Sequence, residues 1–177
     1  MPQERLYKTE AIVLREMDYG EADRIVTLLT PGGKLQALAR GIRRATSRKA
    51  GQLGLFYHAE LMLARGRNLD TITQAHSIET FEGIRADLWR FSYACYTAEL
   101  AERFAQEDEE DPLTFELVLH MLRWCSEGAN LRLAMRHLEM HLLAQGGYKP
   151  ELFRCLACRQ EITPQPNYFS VEQGGIL

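Results

Sequence analysis

Hydrophobic and polar residues alternate in short runs over the first 78 residues of the chain, a pattern typical of β-strands. Turn residues separate five such runs, which are LYKTEAIVLR, DRIVTLLT, KLQALAR, LFYHAELMLA and LDTITQAHSI. Pro31, Gly32 and Gly33 between the second and third runs are a hairpin signal. Five strands in so short a segment close most economically into a barrel, and an oligonucleotide-binding (OB) barrel is one solution.

From about residue 80 the spacing of apolar residues becomes that of helices. The segment IRADLWRFSYACYTAELAERFAQ is apolar on more than one side, so we expect this first helix to pack between the barrel and other helices. Asp111 and Pro112 predict the N-cap and first residue of a second helix, which ends near Gly128. A third helix with apolar positions from Leu131 to Leu142 stops before two glycines.

These patterns predict an α+β multidomain chain. We divide it into an OB barrel at residues 1–79, a helical domain at 80–150 and a partial zinc-ribbon-like element at 151–177. A composition of 46% hydrophobic and 25% charged residues is typical of globular proteins. The sequence has neither an apolar run of about 20 residues nor the apolar core of a secretory signal. We therefore expect a cytoplasmic protein without a membrane partner.

Charge is divided unevenly along the chain. Residues 1–75 carry a net charge of +4 and residues 76–177 a net charge of -7, within a total of -3. The stretch ARGIRRATSRKAG places five cations in ten consecutive positions, and they are Arg40, Arg43, Arg44, Arg48 and Lys49. With no carboxylate between them these cations repel one another, which is easier to explain if an anion binds nearby.

Nucleic-acid phosphates are the anions that such a cluster favours, because Lys and Arg release counterions when they neutralise a phosphate backbone. Alternation on the third strand places Lys34 and Arg40 on the face opposite Leu35, Ala37 and Ala39. These two cations would then flank an exposed surface that leads into the basic stretch. The alternative is a solvated strand face followed by a soluble loop. We expect the stretch to be mobile, because it contains glycines and lacks apolar anchors.

Cys155 and Cys158 form a Cys-x-x-Cys pair, which is half of a typical zinc site. A second pair usually follows about 15 to 20 residues later. We expect that pair beyond Leu177, so that zinc is possible here only as a half-site. His137 and His141 offer an alternative, since with the two cysteines they would make a Cys2His2 set. They are also explained as a partly buried edge of the third helix.

No catalytic arrangement stands out, and we expect that the protein is not an enzyme. The sequence lacks a phosphate-binding P-loop, a dinucleotide fingerprint and a metalloprotease motif. Cys95 and Cys125 lie on apolar helix stripes and are expected to be core thiols. The acidic run EDEED at residues 107–111 is interpreted as a solvated loop with a helix cap, in preference to a site for a basic partner.

The stretches DYGEADRIVTLLT and GKLQALARG, with a cysteine pair after GGYKPELFRC, closely resemble the RecO family of bacterial recombination mediators. The resemblance covers nearly the whole chain. It implies an OB barrel, a helical domain and a zinc element, and a nucleoid-associated protein that binds single- and double-stranded DNA and anneals complementary strands. It also implies that such a protein acts with RecR to displace single-strand binding protein (SSB) and load the recombinase RecA.

By this resemblance the phosphate contacts fall to six residues, which are Lys34, Arg40, Arg43, Arg44, Arg48 and Lys49. The family also binds the acidic tail of SSB through its helical domain. Arg123, Arg132 and Arg136 are helical cations that would suit such a tail. Two other functions stay open, a protein-interaction adaptor that uses the barrel for docking and an OB-type RNA-binding protein.

Overall fold

A computed structural model describes residues 5–107 and 109–177 of the chain. The chain forms two compact units, Met1–Met135 and Arg136–Leu177. Within the described ranges no helix is long and apolar enough to cross a membrane. The division into domains at residues 79 and 150 stays a prediction.

The first unit begins with five strands, as the alternation predicts. They are β1 (Leu6–Tyr19), β2 (Asp23–Thr30), β3 (Gly33–Ala39), β4 (His58–Ala64) and β5 (Asp70–Glu79). Hydrogen bonds join them into a closed barrel in the order β1-β2-β3-β5-β4, with β4 pairing back to β1. The pair β3 and β5 is parallel and has only two register pairs, Ala37 with Asp70 and Leu38 with Thr71. All the other pairs are antiparallel and longer.

Alternate side chains of the strands point into the barrel and form its core. Val26 and Leu28 of β2 and Ile72 of β5 are completely buried there. On β3 the predicted alternation is confirmed, because Ala37 and Ala39 are buried while Gln36 is exposed. Full burial of one large aliphatic side chain contributes about 1.5–3 kcal/mol, so these alternating positions decide which face of each strand turns inward.

Strand β1 is four residues longer than the sequence pattern predicts. The sequence pattern predicts a turn over MDYGEA at residues 17–22, but Met17 pairs with Ile25 and Asp18 with Arg24 in the antiparallel ladder. The reversal comes later, at Gly20, whose φ of 57° suits glycine. The last residues of β1 are mostly polar and face outward. Polar residues of this kind are also typical of turns, so the sequence alone does not show where the strand ends.

Three helices follow the barrel in the first unit, α1 (Glu82–Ala86), α2 (Leu88–Phe104) and α3 (Pro112–Glu127). The prediction of one helix across the first two is wrong. Asp87 has an extended backbone, and its side chain accepts a hydrogen bond from the Arg90 N–H, so it ends α1 and caps α2. The predicted cap of α3 is confirmed, because the Asp111 side chain accepts from the Thr114 N–H at 2.9 Å.

Helix α2 presents small residues to its neighbours. Ala94, Ala98 and Ala101 are buried, whereas Leu88 and Trp89 in the first turn are 79% and 74% exposed. The expectation that this helix is covered on both apolar sides is therefore wrong at its amino-terminal end. Cys125 on α3 is buried, as expected, and burial raises its pKa to about 11. Cys95 is exposed, contrary to expectation.

A charged network joins the barrel to α3. His58 is only 4% exposed, and its ring nitrogens lie 2.9 Å from Glu10 Oε2 and 3.4 Å from Glu79 Oε1. Glu79 also accepts hydrogen bonds from Arg123 of α3, and these lower the pKa of the Glu79 carboxyl. Charge-assisted contacts of this kind hold the helix at the β4 and β5 side of the barrel.

Helix α4 (Leu131–Gln145) ends before Gly146 and Gly147, as predicted. The second unit then contains a short antiparallel pair, β6 (Phe169–Ser170) and β7 (Gly175–Ile176). We did not predict this pair, since two-residue strands are too short to show alternation.

Candidate nucleic-acid interface

Residues 40–57, which we call the basic loop, connect β3 to β4. Three apolar side chains anchor it, because Ile42, Leu53 and Phe56 are at most 3% exposed. Backbone hydrogen bonds add to this, from the Arg43 N–H to the Ala22 carbonyl and from the Phe56 N–H to the Val13 carbonyl. The expectation of a loop without apolar anchors is therefore wrong. We overlooked Ile42, Leu53 and Phe56 because they are single apolar residues among glycines and cations.

Four predicted phosphate ligands in the basic loop are exposed, Arg43 and a group of three that comprises Arg40, Arg44 and Arg48. None of the three forms an ion pair with a residue that the structure describes. Guanidinium groups in this state are available to an incoming anion and offer several N–H donors.

Arg43, another predicted phosphate ligand, lies in a different environment. Its Nη1 is 3.5 Å from Asp18 Oδ2, and the other oxygen of Asp18 accepts from Arg24 Nε at 2.9 Å. Arg24 also contacts Glu16 Oε2 at 3.1 Å. The hydrogen bond from Arg24 lowers the pKa of Asp18, whereas burial raises the pKa of Glu16. Asp18 is thus the ionised group that balances Arg43.

Lys49 is turned toward the barrel. Its Nζ donates to the Ile72 carbonyl of β5 at 3.0 Å, and the residue is half-buried. Burial is the largest influence on the pKa of Lys49 and lowers it, while Asp23 acts in the opposite direction. The ammonium group therefore fastens the basic loop to β5. Its contact with phosphate stays a prediction.

Lys34 at the start of β3 is also engaged within the protein. Its Nζ donates to the Glu102 carbonyl in the last turn of α2 at 2.7 Å. A cation at this position satisfies a free carbonyl and faces the negative end of the helix dipole. The backbone N–H of Lys34 donates to the Gln106 carbonyl at 2.9 Å. Its predicted role in DNA binding stays untested, and its observed role joins β3 to α2.

The acidic run at residues 107–111 lies against the turn between β2 and β3. The Asp111 N–H donates to the Pro31 carbonyl at 3.0 Å. The backbone of Glu107 forms an isolated parallel β-bridge with Lys34. The predicted helix cap at Asp111 is present, whereas Asp108 lies outside the described residues. This run thus ties the hairpin turn to the start of α3.

Two exposed arginines that the sequence interpretation passed over lie in the loop between β4 and β5. They are Arg65 and Arg67, in the stretch RGRN. The sequence pattern indicates only that this stretch separates the fourth and fifth strands. The signal was two arginines without an adjacent acidic residue, in a loop between two predicted strands.

The helical arginines differ in their contacts. Arg123 is bound to Glu79, and Arg136 donates to Glu139 at 2.6 Å. Arg132 is exposed and has no ion pair with a described residue. Of the three, Arg132 is the one whose charge is uncompensated among the described side chains.

The second unit contains the predicted zinc ligands. The Cys158 N–H lies 3.5 Å from Cys155 Sγ, and this hydrogen bond is the main cause of the lowered pKa of the Cys155 thiol. A turn that brings a backbone N–H to one sulfur suits two thiolates on one metal ion. His141 Nδ1 donates to the His137 carbonyl at 2.8 Å. Among the described residues no group of three or more His, Cys, Asp or Glu side chains is placed to hold a metal, so the Cys2His2 alternative is not assembled.

Comparison with known proteins gives a consistent result along the chain. The family described as Recombination protein O N terminal matches residues 2–81, and Recombination protein O C terminal matches residues 85–177. A protein of Roseiflexus sp. (strain RS-1) named DNA repair protein RecO is 46% identical over 99% of this chain and 62% of its own length. A protein of Dehalococcoides mccartyi (strain ATCC BAA-2266 / KCTC 15142 / 195) with the same name is 41% identical over 97% of this chain and 68% of its own. The chain therefore spans somewhat under two thirds of the length of the Roseiflexus relative.

Proposed function

The chain belongs to the RecO family, and from this premise we propose that it is a non-enzymatic mediator of DNA repair and recombination. In this role it binds single- and double-stranded DNA by their phosphates. The supporting observation is the exposed trio Arg40, Arg44 and Arg48, which has no ion pair within the described part of the chain. Because phosphates release counterions when such cations bind, affinity arises without a sequence-specific contact.

The barrel supports this function as an OB barrel. Its five strands follow the order β1-β2-β3-β5-β4, and the short pairing of β3 with β5 leaves Leu35 and Gln36 between that pairing and the bridge of Lys34 with Glu107. OB barrels bind oligonucleotides on the β2 and β3 side and through the loops between strands β1 and β2 and between β4 and β5. Both Arg40, after β3, and Arg65, in the second of these loops, suit that use.

The most direct experiment is a titration of labelled single-stranded DNA, duplex DNA and RNA of the same sequence with this chain at several salt concentrations. We expect binding to both forms of DNA, with log affinity falling linearly against log salt by about 0.7 for each phosphate contact on a single strand. Absence of salt-dependent binding would favour the adaptor alternative. A clear preference for RNA would favour the RNA-binding alternative, since the 2′-hydroxyl distinguishes the two polymers.

Activities that depend on the whole protein follow from the same proposal. Neutralising two backbones at once lowers the repulsion between complementary strands, and annealing is the expected result. The proposed partners are RecR, the SSB tail and RecA on SSB-coated DNA at the bacterial nucleoid, with Arg132 as a cation available to the acidic tail. Annealing of two labelled complementary strands, with and without SSB, tests these steps on a chain of the relatives' full length. No gain over spontaneous annealing would contradict the proposal.

We further propose that Cys155 and Cys158 are two of the four ligands of a structural zinc ion. Two thiolates in a tight turn fit half of a tetrahedral site, and the described residues supply no third ligand beside them. We expect less than one zinc per chain for this sequence and one per chain for a full-length relative, measured by atomic emission after dialysis. Substitution of both cysteines with serine in the longer protein is expected to remove the metal. One zinc per chain in the present sequence would contradict this assignment and favour ligands such as the two histidines.

A further inference from the structure

A polar cleft lies between the first half of β3 and the loop that joins β4 to β5. It has a volume of about 420 Å³. Gln36 lines one side and Arg65 and Asn68 line the other. The cleft exists because β3 pairs with β5 only at Ala37 and Leu38, so the preceding residues of β3 are left beside the loop. It lies entirely within the first unit of the chain.

One carboxylate orders this side of the cleft. Asp70 Oδ1 accepts a hydrogen bond from the Gly66 N–H at 2.9 Å, and Asp70 Oδ2 accepts one from the Tyr7 hydroxyl. The backbone N–H of Arg65 donates to the Arg5 carbonyl at 2.9 Å. The loop and the start of β1 are therefore fixed to each other, which sets the position of both the Tyr7 ring and the Arg65 side chain.

The Arg65 side chain packs on an aromatic ring. Its guanidinium carbon lies over the Tyr7 ring, 4.8 Å from the ring centroid, while the residue remains exposed and lines the cleft. A planar guanidinium held in this way by a cation–π contact presents a second flat face to solvent. Nucleic-acid bases stack on such planes. The side-chain amides of Gln36 and Asn68 add hydrogen-bond donors and acceptors at the same place.

We propose that this cleft binds one unpaired nucleobase, stacked on Arg65, of a single strand whose phosphates lie on the exposed arginines. The inference rests on the proposed DNA-binding function. It adds selectivity for single strands, because the bases of a duplex are paired and stacked on each other and do not enter a cleft without being extruded. Phosphate contacts alone would not distinguish bases that are stacked within a duplex from bases that are available.

The test compares Arg65→Lys with the wild-type chain. Lysine keeps the positive charge and loses the planar face, so the salt dependence is expected to stay the same. We expect about a tenfold loss of affinity for a single-stranded oligonucleotide and no change for a duplex of equal length. The matched control is Arg103→Lys on α2, an exposed arginine that is paired with Glu99 and does not line the cleft, and it is expected to leave both affinities unchanged.

A second ligand separates the base from the phosphates. An abasic oligonucleotide of the same length, in which every nucleotide lacks its base, is expected to bind the wild-type chain more weakly than the normal strand does. Arg65→Lys is expected to reduce the ratio of the two affinities, normal strand to strand without bases, by about tenfold. An unchanged single-strand affinity in Arg65→Lys, or an equal loss on the duplex, would overturn the base site while leaving DNA binding intact. If the wild-type chain binds neither polymer, the proposed function fails and the base site fails with it.

Discussion

Replacing Arg40, Arg44 and Arg48 together with alanine is expected to reduce the slope of log affinity against log salt for single-stranded DNA by about 2. Each lost phosphate contact accounts for about 0.7 of that slope. If the two salt curves meet near 1 M salt, a slope difference of about 2 corresponds to about a hundredfold loss of affinity at 0.1 M salt. The reason is structural, since these three guanidinium groups are exposed and no described carboxylate compensates them. Fluorescence anisotropy over a range of salt concentrations measures both quantities.

The matched control removes the same charge elsewhere. Arg103, Arg132 and Arg136 are exposed helical arginines, two of them in surface ion pairs with Glu99 and Glu139. Their triple alanine variant is expected to keep the wild-type slope. An equal reduction in both variants would mean that net charge, not the basic loop, governs binding. An unchanged slope in the first variant would remove the basic loop from the interface.

Gly33→Ala is expected to lower the free energy of unfolding by more than about 3 kcal/mol. This is the largest effect on stability that we predict for a single substitution. Gly33 has a φ of 105°, which is a strained conformation for any other residue. An added Cβ would lie 2.5 Å from the Glu109 carbonyl oxygen and 2.9 Å from the Glu109 nitrogen. Since both contacts are with backbone, the β2–β3 turn and the acidic run must move apart. Thermal unfolding is expected to show a midpoint lower by about 6 °C or more.

Gly20→Ala separates the two causes of this effect. Gly20 also has a positive φ, 57°, but an added Cβ there meets nothing within 4 Å. Only the cost of the left-handed backbone conformation remains, and we expect the free energy of unfolding to fall by about 1–2 kcal/mol. Equal destabilisation of the two variants would show that the contact with Glu109 does not contribute.

Local patterns in the sequence predicted the presence of five strands, the alternation on the third strand and the helix cap at Asp111, because each depends on neighbours within a few residues. The break at Asp87 was missed, since the apolar spacing continues across it. Trp89 was expected to be covered and is 74% exposed, because apolar spacing shows which side of a helix is apolar and not which side has a neighbour. The family resemblance indicated the same order of barrel, helices and cysteine pair.

The sequence predicted that the candidate interface is a positively charged segment. It did not predict which of its cations are exposed and unpaired and which are bound within the protein. Arg43 is balanced by Asp18, which precedes it by 25 residues, and Lys49 donates to the carbonyl of Ile72, which follows it by 23. Both contacts depend on how the strands pair, which a local charge count does not contain. Arg65 was overlooked for the related reason that its significance comes from Tyr7, at the other end of the barrel sequence.

The hydrogen bonds that converge on Asp70 have a practical consequence for protein engineering. Short exposed loops are the usual sites for inserting a tag or a reporter domain. The loop between β4 and β5 is a poor choice, because Gly66 is bonded to Asp70 and a Cβ on Gly66 would lie 1.8 Å from the Leu69 carbonyl oxygen. An insertion there would separate Tyr7 from its hydrogen-bond acceptor. The turn at Gly20 is less constrained, since an added Cβ there meets nothing within 4 Å.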